Sequence, residues 1–133
     1  MTLRNYLLIF LILITREINP INRGISMVLK PMATTLADLD LFLDVDQTDQ
    51  RIYTQDHNCV SFSCDLVRRA FEYGISSNIV LLFTDTLPGH SVVKFSTQDA
   101  GDIYIEPQTD EIFDLAGISR IVPAYCLGLD KHD

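Results

Sequence analysis

The chain has 133 residues, of which 47% are hydrophobic, and this combination predicts one folded domain with a sizeable core and excludes a disordered chain. Its formal net charge is −8 and it contains no run of basic residues, so we expect no nucleic-acid partner. Three cysteines, an odd number, leave at least one thiol unpaired and argue against a small disulfide scaffold.

The first candidate element is the apolar run YLLIFLILI at residues 6–14, which follows Arg4. A membrane-spanning helix needs about 20 apolar residues, and this run is about half that length. A secretory signal also begins with a basic residue and a short apolar stretch, but no small-residue cleavage site follows here. Three interpretations stay open: an export signal or membrane anchor through residues 5–15, a buried helix, or an extension upstream of a true start at Met27 or Met32. The first predicts an exported or membrane-associated protein, and without such a segment the protein is expected to be cytoplasmic.

A break follows this segment. The sequence NPINRG at residues 19–24 carries Pro20 and Gly24, which interrupt regular structure. We therefore assign residues 1–31 to an N-terminal hydrophobic segment and linker, and residues 32–133 to a single domain.

Two helices are predicted at the start of this domain. The first lies within TTLADLDLFLDVD (34–46), where apolar residues recur at helical spacing behind a threonine cap. The second begins at Cys59, with Asn58 as the N-cap and Gly74 as the residue that ends it.

The sequence after Gly74 has the pattern of short strands. Three are predicted at residues 78–84, 90–97 and 102–107, and the tail at 117–125 is expected to add another. Helices followed by hairpin-connected strands predict an α+β fold, with the helices packed on a small antiparallel sheet.

Three residues in this order suggest thiol chemistry. A helix N-terminus and a nearby imidazole both favour a thiolate, and Cys59 is predicted in a first helical turn, whereas Cys64 lies a turn and a half later and points elsewhere. His90 opens a strand directly after a Pro-Gly turn and is the candidate base. If its strand pairs with the next so that His90 faces Glu106, with a loop at 97–99, the ring and the carboxylate share one face of the sheet.

Each residue also has a structural interpretation. Taken alone, Cys59 is most often a small buried side chain, His90 an ordinary strand histidine and Glu106 a surface carboxylate. We expect Cys64 and Cys126 to be core thiols, with a bridge between them as the alternative in an exported protein.

Order and spacing together resemble transglutaminase-like cysteine enzymes of the papain-like superfamily. NCVSFSCDLVRRAFEYGI (58–75) resembles the family's nucleophile helix, and GHSVVKF (89–95) resembles its histidine strand, often written His-Ala-Trp-Val-Glu. DIYIEPQTDEI (102–112) resembles its acid strand, where Asp-Pro-Thr is usual. The chain departs from the family in having Glu for Asp, no tryptophan, and GISSN in place of Gly-Ile-Pro-Ala-Arg.

The resemblance implies a papain-like fold and either acyl transfer or amide hydrolysis on a peptide, protein or other amide substrate. It assigns Cys59 as nucleophile, His90 as general base and acid, and Glu106 as the carboxylate that orients the ring. Candidates for an oxyanion donor or supporting group, beside the backbone N–H of Cys59, are Gln108, Asn58 and Gln55. No metal is expected, and the domain lacks the extra modules of calcium-dependent cross-linking enzymes, so no cofactor is expected either.

Two other interpretations stay open. Papain-like cell-wall peptidases also have a cysteine helix before a histidine strand, but they usually place a second histidine or a polar group at the acid position, and IEPQ favours the transglutaminase-like alternative. The second is a non-catalytic binding or structural domain with the same fold.

Overall fold

The computed structural model describes residues 31–86 and 89–126. They form an α+β domain in which two helices precede a five-stranded sheet, so the α+β part of the fold prediction is confirmed. The helices are α1 (Leu36–Val45) and α2 (Cys59–Glu72), with a 3₁₀ turn (Thr48–Gln50) between them. The strands are β1 (Ser77–Phe83), β2 (His90–Thr97), β3 (Gly101–Glu106), β4 (Glu111–Ile112) and β5 (Arg120–Ala124).

All strand pairs in the sheet are antiparallel, and the spatial order is β4-β3-β2-β1-β5. The first three strands match their predicted bounds to within one residue, and the tail strand is present as β5. The two-residue strand β4 was not predicted, because it is too short to show an alternating pattern.

Side-chain caps fix where the helices begin. Thr35 Oγ1 accepts the N–H of Asp38 at the start of α1, and Asn58 Oδ1 accepts the N–H groups of Val60 and Ser61 at the start of α2. Gly74 follows α2 with φ of +76°, a conformation that glycine adopts without steric cost. The predicted cap and stop of α2 are therefore confirmed.

Both faces of the sheet are covered. On one face, side chains from α1 and α2 pack against β2 and β3; the buried members are Leu39, Phe42, Leu43, Leu66, Ala70, Val93, Phe95 and Ile105. On the other face, Val80, Leu82 and Val92 are covered by side chains that include Phe113, Leu115 and Ile118. The sheet is therefore the middle layer between the helices and the segment that follows β4.

Cys64 on α2 and Cys126 after β5 form a disulfide, with Cα atoms 5.6 Å apart. The expectation of two unbridged core cysteines is wrong in that they are bridged, although Cys126 is buried and Cys64 half-buried. Sequence alone could not place them together because 62 positions separate them along the chain. Cys59 is a free, half-buried thiol.

Within residues 31–86 and 89–126, neither helix combines the length and the apolar character that crossing a bilayer requires. The candidate export or anchor segment at residues 5–15, and with it the candidate start at Met27, lies outside the described residues.

Candidate functional site

The pairing of β2 with β3 sets the position of His90 relative to Glu106. Val93 pairs with Ile105 and Thr97 with Gly101, which places the connecting loop at residues 98–100. The predicted register, with a loop at 97–99 and His90 opposite Glu106, is wrong: the observed pairing is shifted by two residues and, extended one step beyond its last pair at Val93 and Ile105, aligns Val92 with Glu106. Because side chains alternate with a period of two, both registers leave His90 and Glu106 on the same face.

Thr97 and Gly101 select the observed loop. The Thr97 hydroxyl accepts the N–H of Ala100 at 2.9 Å and donates to the carbonyl of Gly101 at 2.7 Å. Gly101 takes φ of +70°, which a residue with a side chain rarely adopts. These local bonds close the hairpin one residue later than the turn chemistry alone suggested.

His90 and Glu106 form a hydrogen-bonded pair between the two strands. His90 Nε2 contacts Glu106 Oε2, while Glu106 Oε1 accepts the backbone N–H of Gln108 at 3.2 Å. Diagonal neighbours on adjacent strands lie about 7–8 Å apart at Cα, so the extra methylene of glutamate helps it to span the gap. The hydrogen bond to Glu106 and its negative charge raise the pKa of His90 against the opposing effect of burial. The protonated ring is therefore favoured, and in the described part of the chain Nδ1 has no hydrogen-bond partner.

Gly89, directly before His90, packs closely against the end of β1. A Cβ at this position would lie 2.8 Å from Cε1 of Phe83, closer than such atoms approach in proteins. Phe83 is itself held by β5, because the Arg120 guanidinium lies 4.5 Å from its ring centroid and the Ser119 N–H donates to its carbonyl. A glycine is therefore needed where the chain enters β2.

Cys59 begins α2 and heads the helix face that packs on the sheet. Ser63, Leu66 and Ala70 follow it at helical spacing, and all three are buried. One turn after Cys59, Ser63 Oγ accepts a hydrogen bond of 2.8 Å from Ser91 Oγ, and both serines are fully buried. Since Ser91 adjoins His90, this bond holds the first turn of α2 beside the start of β2.

The structure joins two of the three predicted catalytic residues directly. Among the described residues, no hydrogen bond links Cys59 Sγ to the His90 ring. Successive side chains of a strand point to opposite faces of the sheet. Ser91 points toward α2, so His90 lies on the opposite face, together with Leu82, its pairing partner on β1. Any contact between the thiol and the ring would therefore occur around the end of β2.

The three candidate oxyanion donors have different surroundings. The side-chain oxygen of Asn58 caps α2, and the backbone N–H of Gln108 binds Glu106. Gln55 is exposed in the connector before α2. Within residues 31–86 and 89–126, none of their side chains hydrogen-bonds to Cys59, His90 or Glu106.

Asp110 adjoins the pair but was not selected from the sequence. Its N–H donates to the carbonyl of Glu106 at 2.9 Å, and its φ of +61° is in the left-handed region. Burial, together with the negative charges of Asp49, Asp46 and Asp44, raises the pKa of Asp110 to about 7. The only sequence signal was its place in the turn-forming QTD after Pro107.

Comparisons with known proteins add no relative: no family model matches the chain and no curated protein matches it. Within the described part of the chain, no group of three or more His, Cys, Asp or Glu side chains is placed to hold a metal ion. The function is therefore inferred from the residues themselves.

Proposed function

We propose that this domain is a transglutaminase-like thiol enzyme of the papain-like kind, which performs acyl transfer or amide hydrolysis through Cys59, His90 and Glu106. The observation that carries the proposal is the hydrogen bond between His90 Nε2 and Glu106. A carboxylate that holds one ring nitrogen fixes the tautomer and orientation of the ring and leaves the other nitrogen for a nucleophile. The raised pKa of His90 also supports the proposed roles, because an imidazolium can stabilise a neighbouring thiolate.

The position of Cys59 supports the nucleophile role. Its thiol is free, and its helix face is the one that contacts the sheet beside His90. The first N–H groups of a helix have no partner within the helix, so the backbone N–H of Cys59 can donate to an oxyanion.

The proposed reaction has two acyl-transfer steps. The proton of Cys59 resides on His90 Nδ1, and the resulting thiolate attacks the carbonyl carbon of the amide. The C–N bond breaks as His90 returns that proton to the leaving amine, and a thioester remains. Water or an amine then loses a proton to His90 and attacks the thioester; the C–S bond breaks and the Cys59 thiol is regenerated. The substrate is accordingly a peptide, a protein or another amide.

One observation favours a second candidate, a non-catalytic domain. His90 and Glu106 lie on the sheet face that carries Leu82 and Val92, and α2 packs on the other face. In that case the pair serves only to join β2 to β3, and Cys59 is a thiol without a base.

Alkylation of Cys59 by iodoacetamide at pH 6 separates the two candidates. An ordinary thiol has a pKa near 8.5 and is less than about 1% ionised at this pH, so an ion-paired thiolate should react at least about tenfold faster than glutathione. The disulfide removes Cys64 and Cys126 from the reaction, so the single alkylated site is identified by mass spectrometry. We expect fast labelling that His90→Ala abolishes and Glu106→Gln reduces.

The matched control is His57→Ala, which removes the histidine two residues before Cys59. Its Nε2 lies 3.5 Å from Asp65, away from the proposed reaction, and its loss should leave the rate unchanged. A native rate equal to that of glutathione, or a rate indifferent to His90→Ala, rejects the enzyme and supports the non-catalytic domain.

A further inference from the structure

A polar cleft of about 490 Å³ lies between residues 46–51 and the outer face of α2. Its volume falls within the range of about 300–1,000 Å³ typical of small-molecule sites. Cys59, His90 and Glu106 do not line it, so it is separate from the candidate site described above.

Basic side chains are concentrated in this cleft. The described residues include fifteen acids and only five lysines and arginines, and three of those five line the cleft: Arg51, Arg68 and Arg69. On an otherwise acidic domain, the cleft is therefore the place where guanidinium groups converge.

Two of the three acids of the cleft, Asp46 and Asp65, are largely buried, whereas two of its arginines are exposed. The Asp46 side chain has no exposed surface, and its carboxylate accepts hydrogen bonds from the Thr48 N–H and from Arg69. The side chain of Asp65 is 18% exposed, against 57% for Arg51 and 52% for Arg68. Glu72 is the exposed acid of the cleft, and it contacts Arg69 at 3.3 Å. A ligand that enters near Arg51 and Arg68 therefore meets guanidinium groups first.

Within the part of the chain that the structure describes, most N–H donors of Arg51 and Arg68 have no acceptor. Arg51 and Arg68 approach Asp65 from opposite walls, at 3.4 and 2.8 Å, and His57 Nε2 lies 3.5 Å from the same carboxylate. Among the described residues, only the contact from Arg68 is a hydrogen bond, and Asp65 Oδ2 has no hydrogen-bond partner there. Each guanidinium carries five N–H donors in a planar fork that matches the oxygens of a carboxylate or a phosphate.

We propose that this cleft binds an oxyanion, the carboxylate or phosphate group of a small ligand, through Arg51 and Arg68. The connector holds one arginine and α2 holds the other, and Asp65 keeps the two side chains within reach of one anion. The site requires neither the thiol nor the histidine, so it stands whether or not the domain is an enzyme.

Titrations followed by backbone amide NMR at pH 7 test the site. Inorganic phosphate and succinate are the probes, and sodium chloride at the same ionic strength is the reference. We expect saturable shifts at residues 46–51 and 65–72 with phosphate, succinate or both, and no saturation with chloride. The probe with the lower Kd identifies the group that the cleft prefers. Equal responses to chloride and to both probes overturn the proposal.

Charge-matched variants distinguish anion binding in the cleft from nonspecific attraction of anions to any positive charge on the surface. Arg51→Gln and Arg68→Gln should each raise the Kd at least tenfold, whereas Arg120→Gln, which removes the same charge on β5, should change it less than twofold. Asp65→Asn keeps a side-chain oxygen that holds the two arginines and removes the negative charge that competes with the ligand, so it should lower the Kd several-fold, whereas Asp102→Asn, beside Lys94, should not. If Arg51→Gln and Arg68→Gln leave the Kd unchanged, or if Arg120→Gln weakens binding equally, the cleft is not the binding site.

Discussion

At the scale of single residues, Asp110, which adjoins the candidate site, makes the stability of the folded protein depend on pH. Its Oδ1 and that of Asp49 are both buried, and neither has a hydrogen-bond partner among residues 31–86 and 89–126. The pKa of Asp110 rises to about 7 in the folded protein from an ordinary value of 3.8. Between these values the folded state holds a proton that the unfolded state has released, so this group lowers stability as pH rises from about 4 to about 7 and adds no further change above that.

Asp110→Asn should remove this pH dependence. Asparagine tolerates the left-handed backbone of this position and carries no charge, so the variant should be more stable than the parent at pH 8 but not at pH 4. Urea unfolding at the two pH values measures the difference. Asp40→Asn, which makes the same charge change on the exposed side of α1, is the control. A gain of the same size from Asp40→Asn at pH 8 would show that net charge, not the site of Asp110, is responsible.

At the scale of elements, local sequence patterns were sufficient to predict most of the helices and strands. Caps at Thr35 and Asn58, apolar spacing and the glycine at 74 were sufficient to place both helices. The shared face of His90 and Glu106 was also predicted, because the predicted and observed registers differ by two residues, an even shift that leaves every side chain on the same face. The register itself depends on bonds between Thr97 and its neighbours, which no pattern reveals.

Contacts between elements were not predictable in the same way. The bond between Ser63 and Ser91 joins residues 28 positions apart, and serine is common on helix and strand surfaces, so neither residue gave a signal. The arginine cleft was missed for the same reason: Arg68 and Arg69 suit the C-terminal part of a helix, and Arg51 lies in a polar connector.

The serine pair that joins α2 to β2 gives a prediction at this scale. Ser63→Ala and Ser91→Ala should each lower the free energy of unfolding by about 1–3 kcal/mol, because each leaves a buried hydroxyl without a partner. The double variant removes both hydroxyls and should cost clearly less than the sum of the two single changes. Urea unfolding of the four proteins measures the coupling. The control Ser96→Ala, at an exposed serine on β2, should stay within about 0.5 kcal/mol. Additive losses would mean that the two hydroxyls do not depend on each other.

At the scale of the whole molecule, the disulfide connects the middle of α2 to the end of the last strand. In the described sheet β5 is an edge strand that pairs only with β1, and the bridge between Cys64 and Cys126 ties the residues directly after it to α2. Disulfides persist in oxidising compartments, which favours the export interpretation of the N-terminal segment.

Breaking this bridge should destabilise the protein because the unfolded chain regains the freedom of a long loop. With the two cysteines 62 positions apart, loop entropy predicts a loss of about 4 kcal/mol. Urea unfolding with and without dithiothreitol measures this loss of stability. The double variant Cys64→Ala, Cys126→Ala should be as stable as the reduced parent, and dithiothreitol should not change its stability. Cys59→Ala keeps the bridge, so its response to dithiothreitol should equal that of the parent. A parent whose unfolding midpoint does not move on reduction, or whose Cys64 is alkylated without reductant, would show that the bridge does not hold α2 to β5.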